Sequence, residues 1–213
     1  MTDERRAPSL FVQAGPFLIL AAGALWVRAR WEELPERLPI HWNVHFQPDG
    51  FVSRTPVAAV LPLLLGAIVC LTLLAFQAGL RRSTPDGALR AFTIKTLLIG
   101  EYFSALACCG VLAASATGGR LLKPVLVLSL GGVLALLAFV WKSARKIPRE
   151  PAHNPSAWRG GFFYVDREDP ALFVPKRYGL GYTFNYGHPA ALPLTLALVI
   201  VPLGIVAVVM TLR

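Results

Sequence analysis

Apolar and polar positions along this chain alternate in long blocks. Five apolar stretches stand out, roughly Leu10–Val27, Val57–Leu80, Ala91–Ala116, Leu121–Trp141 and Pro189–Leu212. Crossing about 30 Å of hydrocarbon takes about 20 apolar residues, and each stretch comes close to that length. Pro16 and Pro62 fall in the first turns of their blocks, where a missing N–H is tolerated. The pattern predicts an all-α integral membrane protein of about five transmembrane helices. Residues 1–141 would form a four-span region with an outward loop at 28–56. Residues 142–188 would form a basic linker and an aromatic β-element. Residues 189–213 would form the fifth transmembrane helix.

Two polar stretches interrupt this plan. The loop from Arg28 to Pro56 contains prolines 35, 39, 48 and 56 and a Pro-Asp-Gly turn. Such breakers predict an irregular but ordered loop with short extended pieces. The stretch Trp158–His188 carries nine aromatics, an acidic turn (DREDP) and a basic knot (PKR). Tyr182, Phe184 and Tyr186 alternate with Gly181, Thr183, Asn185 and Gly187, a period-two signal. With FFYV and LFV as further strand candidates, a small cytoplasmic β-hairpin or three-stranded element is expected. It is too small to be stable alone and is expected to lean on the bilayer interface.

Composition sharpens the picture. Of 213 residues, 55% are hydrophobic and 15% charged, against about a quarter charged in soluble domains. The net charge of +9 raises nucleic acid as a partner. The basic residues flank the apolar blocks, however, as the positive-inside rule expects, so the lipid bilayer is the expected partner and nucleic acid is not. Lysine and arginine number thirteen on one side and seven on the other. This predicts a cytoplasmic N-terminus and a multi-pass protein of a bacterial inner membrane. The first block resembles a signal peptide in position, but the following ALWVRARWEE offers no small-residue cleavage site and reads as a retained anchor. Cys70, Cys108 and Cys109 lie inside apolar blocks without metal spacing and read as packing residues.

Candidate chemistry is sparse. His41, His45 and Asp49 are spaced four apart. On a helix they would share a face and offer imidazole and carboxylate to a metal; in a loop, His41 and Asn43 would instead satisfy backbone groups. Glu101 lies within the third apolar block, where a carboxylate is costly. It reads either as an interhelical structural partner or as a proton or substrate site. Lys176 and Arg177 read as a lipid-headgroup contact or as a turn paired with Asp166, Glu168 or Asp169. There is no nucleotide-binding loop, HExxH, GxSxG or nucleophile–base pair in the sequence, so neither an enzyme nor a cofactor is expected.

Two stretches carry a family resemblance. In Leu34–Pro62, residues Leu34, Pro35, Pro39, Ile40, His41, Trp42, Asn43, Asp49, Gly50, Ser53 and Arg54 match the opening domain of SdpI-type bacterial membrane proteins. Trp158–Pro189 resembles a second uncharacterised bacterial domain often attached behind it. The resemblance implies a sensing or toxin-immunity role, and such a protein is expected to recognise a peptide or lipid-like molecule through the Leu34–Pro56 loop. Read from the residues themselves, the candidate ligand contacts are His41, Asn43, His45, Asp49 and Glu101. Two rival expectations remain: an accessory subunit with protein partners in the membrane, and a small transporter using Glu101.

Overall fold

The computed structural model describes residues 8–148 and 154–211. The chain is mostly helical. Helices α1 (Leu10–Ala29), α2 (Pro56–Ser83), α3 (Ala88–Ala116) and α4 (Leu122–Ala144) are each long and apolar enough to cross a bilayer. Each lies where an apolar block predicts it, with ends shifted by only a few residues. A fifth helix, α5 (Ala191–Thr211), starts two residues after the predicted Pro189 and is apolar over Ala191–Gly204. Residues 149–153, inside the expected surface linker, lie outside the described residues. So do residues 1–7 and 212–213, whose charges enter the predicted orientation.

The chain divides into two compact units. Among the described residues, the first comprises 8–74 and 98–139. It contains α1, much of α2 and α3, nearly all of α4, and a hairpin of β1 (Arg37–Trp42) and β2 (Pro48–Ser53). Its core joins Leu20 and Val27 of α1, Leu34 and Leu38 of the loop, Leu63 and Cys70 of α2, and Ala105 and Leu112 of α3. Lipid tails are as apolar as leucine, so these helices gain little from hydrophobic burial and must rely on close packing. Small residues make that possible. The Tyr102 ring of α3 lies on Gly15 of α1, and its hydroxyl donates to the Val12 carbonyl at 2.8 Å. Gly66 of α2 leaves room for Leu20 and Cys108, each about 3.0–3.1 Å from where a Cβ would stand. The cysteines are free thiols. The Cys70 thiol reaches the Glu101 carbonyl oxygen at 3.5 Å, and the Cys109 thiol reaches the Ile19 carbonyl oxygen at 3.7 Å.

The second unit comprises residues 75–97 and 140–211 among those described. It holds the end of α2, the start of α3, the end of α4, α5, and two small antiparallel hairpins. Strand β3 (Trp158–Arg159) pairs with β4 (Phe163–Tyr164), and β5 (Phe173–Pro175) pairs with β6 (Tyr182–Phe184). A parallel bridge, Tyr164 to Asn185, joins the two. The expected aromatic element is therefore a pair of joined hairpins. Its strands are only two or three residues long, so it needs support from elsewhere. Phe76 of α2 supplies part of it, with its ring 5.7 Å from Phe173 and 5.8 Å from Phe184.

Gly66→Val tests the packing. Overpacking a tight contact costs about 1–3 kcal/mol, so the detergent-solubilised variant is expected to unfold at lower temperature than wild type. A thermal midpoint equal to wild type would show that the Leu20 and Cys108 contacts around Gly66 do not hold the first unit together.

Candidate functional site

The β1–β2 hairpin is the most elaborated polar feature of the first unit. It forms because extended residues on either side of Asn43–Gln47 can pair, while Pro39 and Pro48 exclude a helix. The helical face that would have grouped His41, His45 and Asp49 therefore does not form. Instead the pairing runs Pro39 with Phe51, His41 with Gly50 and Trp42 with Pro48, with irregularities on both sides of His41. Asp49 has no partner in this register. Such a bulge re-aims a side chain, and the Asp49 carboxylate meets His41 Nδ1 at 2.5 Å. Both side chains are about half exposed. Of the four predicted loop residues, the structure thus joins two, His41 and Asp49, side chain to side chain.

Asn43 organises the turn. Its side-chain oxygen accepts from the backbone N–H of His45 at 2.9 Å and of Gln47 at 3.1 Å. His45 itself is exposed. Among the described residues there is no cluster of three or more His, Cys, Asp or Glu placed to hold a metal. The tip carries Val44, 86% exposed, and Phe46, whose φ is +62°. An aromatic residue in left-handed backbone is strained, and such strain clusters where function requires it. Lys123 Nζ lies 5.7 Å from the Phe46 ring centroid.

The hairpin is fixed at its base. Arg54 donates to the carbonyls of Trp31 at 2.7 Å and Leu34 at 3.0 Å, and its guanidinium lies over the Trp31 ring. Ser115 of α3 donates to the Pro39 carbonyl at 2.6 Å. Trp42 lies against Gly119, where φ is +91° and a Cβ would stand 2.8 Å from the indole nitrogen. That nitrogen is buried with no hydrogen-bond partner among the described residues. An apolar groove of about 320 Å³, lined by Ala24, Val27, Trp31, Pro56 and Val60 with Arg28 as its charge, lies at the α1 and α2 ends that carry the loop.

Glu101 is fully buried in α3. A carboxylate at this depth is far better accommodated against protein than against lipid. Lys176 and Arg177 sit exposed at the β5–β6 turn, where the Arg177 guanidinium lies 5.6 Å from the Tyr178 ring centroid.

A second polar cluster gathers the acidic turn, read from the sequence as a partner for Lys176 and Arg177, around Asn154, Tyr164 and Asn185, which the sequence does not single out. The acidic turn folds around Asn185, which is fully buried. Its amide oxygen accepts from the N–H groups of Asp166 and Gly187, and its amide nitrogen donates to the carbonyls of Asp166 and Asp169. Every hydrogen-bonding position of the amide is used, as burial demands. The buried Tyr164 hydroxyl donates to Asp169 at 3.0 Å. A shallow concavity of about 270 Å³ opens among Asn154, Tyr164, Asp166, Glu168 and Asp169. The available signal was the polar Asn185 set among alternating aromatics.

Burial, then the hydrogen bond and charge of Asp169, push the Tyr164 phenol above its ordinary range. Because the folded value is raised, its stabilising contribution is present below about pH 10 and is lost as pH rises through the folded value. The Asn154 amide, followed by the Glu168 backbone N–H, holds Asp166 below the usual carboxylate range. That contribution is present above about pH 4 and is lost as pH falls through the folded value. Phenolate absorbance of wild type minus that of Tyr164→Phe isolates the tyrosine step, which is expected above about pH 10. A step at or below that pH would mean that the hydroxyl is neither buried nor bonded to Asp169.

Two families match parts of the chain. A domain of unknown function (DUF1648) matches residues 17–66, and a family of unknown function (DUF5808) matches residues 167–192. The first match spans most of α1, the β1–β2 hairpin and the start of α2. The second spans the acidic turn, β5, β6 and the first residues of α5. Comparisons with curated proteins and with solved structures find no match. The chain is a multi-helix, membrane-type protein carrying segments similar to two domains of unknown function.

Proposed function

We propose that this chain is a non-enzymatic sensing or immunity protein of the SdpI type, in a bacterial inner membrane with its N-terminus cytoplasmic. Its β1–β2 hairpin faces outward and recognises a peptide or lipid-like molecule. The observation that carries this reading is a hairpin anchored by Arg54 and Ser115, with a strained, exposed tip at Val44 and Phe46. A fixed base with an exposed apolar tip suits recognition, because little ordering entropy is lost on binding. The adjoining apolar groove with Arg28 suits an amphipathic ligand. The half-exposed His41–Asp49 pair offers polar contacts. The match over this segment is to a domain of unknown function (DUF1648) and adds no activity of its own.

Two alternatives each rest on a separate observation. The most apolar part of α4 has no buried residue, which favours an accessory subunit that packs this face on a partner. The buried Glu101 favours a small transporter.

The test is survival of a deletion strain, complemented with wild type or variants, when challenged with a membrane-active peptide toxin. Val44→Asp and His41→Ala alter exposed groups and are expected to abolish protection while leaving membrane level and detergent stability unchanged. Protection that survives both changes but fails with Glu101→Gln would replace the recognition reading with transport. Stable copurification of a fixed partner, without which the chain degrades, would favour the accessory subunit.

A further inference from the structure

The two hairpin turns of the second unit lie side by side. In the β3–β4 turn, Gly161 has a φ of +79°, and a Cβ there would stand 3.4 Å from the Tyr178 ring of the β5–β6 turn. The neighbour of Gly161 is Phe162, 74% exposed, and Tyr178 is 64% exposed. Arg159, Lys176 and Arg177 are exposed on the same two hairpins. Two segments about 15 residues apart in the chain thus build one surface of large aromatics and basic groups. No acidic residue occupies either turn.

This surface is held close to a spanning helix. Phe76 packs on Phe173 and Phe184, and Gly79 lies under Phe173. Phe76 precedes the end of α2 at Ser83 by seven residues, about 10 Å along the axis. The β5–β6 hairpin therefore flanks the last turns of a transmembrane helix and does not extend freely into water. The element also runs directly into α5, which is apolar over Ala191–Gly204. Aromatic rings and basic side chains at that depth are the groups that partition into the headgroup region.

We propose that the paired turns form an interfacial anchor. Phe162 and Tyr178 enter the headgroup layer of the protein's own membrane, while Arg159, Lys176 and Arg177 pair with anionic lipid phosphates. The occupant is an anionic bilayer surface. The acidic turn, with Glu168 exposed, faces water.

Spin labels test this on the full chain in nanodiscs. Phe162→Cys and Glu168→Cys are labelled separately, and wild type treated alike gives the background from the native cysteines. Accessibility to oxygen and to a neutral nickel chelate reports depth. In bilayers containing phosphatidylglycerol, the label at position 162 is expected to be open to oxygen and shielded from nickel, and the label at 168 open to nickel. Each basic residue near an anionic surface shifts partition by about fivefold. Pure phosphatidylcholine, or the Lys176→Glu and Arg177→Glu pair, is therefore expected to lower the docked fraction by roughly tenfold or more. An unchanged gel-filtration profile and an unchanged label at 168 show that these variants remain folded. Nickel access at 162 equal to that at 168 in the anionic bilayer overturns the proposal. Shielding from both reagents overturns it in favour of a protein contact. Equal immersion in neutral and anionic bilayers overturns the role given to the basic residues.

Discussion

Hydrocarbon offers no water to satisfy a peptide group, and this single constraint arranges the rest of the molecule. Any backbone that crosses the bilayer must complete its hydrogen bonds internally, so the apolar blocks become helices. The same constraint pushes every irregular segment to the helix ends. It also removes most of the hydrophobic drive for helix association, leaving close contacts such as Gly15 with Tyr102 and Gly66 with Leu20 to hold α1, α2 and α3 together.

The segments outside the helices must solve their own polar problem, and the two do so differently. The β1–β2 hairpin borrows donors from the bundle: Arg54 satisfies carbonyls at its base, and Ser115 reaches the Pro39 carbonyl. The paired hairpins of the second unit use an internal solution, in which the Asn185 amide joins the acidic turn to the strand end. A hairpin fixed from below keeps its tip available for contact. An element wired around a buried amide keeps a fixed shape despite very short strands. The first arrangement suits recognition, and the second holds the exposed Phe162, Tyr178 and neighbouring basic groups on a fixed frame.

Much of the fold was legible in the residues. The helices appear where the apolar blocks lie, and the aromatic segment is extended as its period-two pattern predicts. The site was less legible. The spacing of His41, His45 and Asp49 is a helical spacing, but prolines 39 and 48 impose strands. A bulge then pairs His41 with Asp49 across the hairpin and leaves His45 apart, near the exposed tip. Asn185 gave only a faint signal, since an asparagine in an alternating strand is equally a surface residue.

The membrane-type character, the positions of the long helices and the chemical types present at each loop can be read from the apolar blocks alone. These follow from composition over windows of about 20 residues, which the bilayer reads directly. Which polar groups meet depends on the folded arrangement. The His41–Asp49 contact, the Asn185 staple and the approach of Tyr178 to Gly161 depend on strand register and on which turns become neighbours. A shift of one residue in register turns every side chain to the opposite face, so these meetings are set by packing across the fold and not by spacing along the chain.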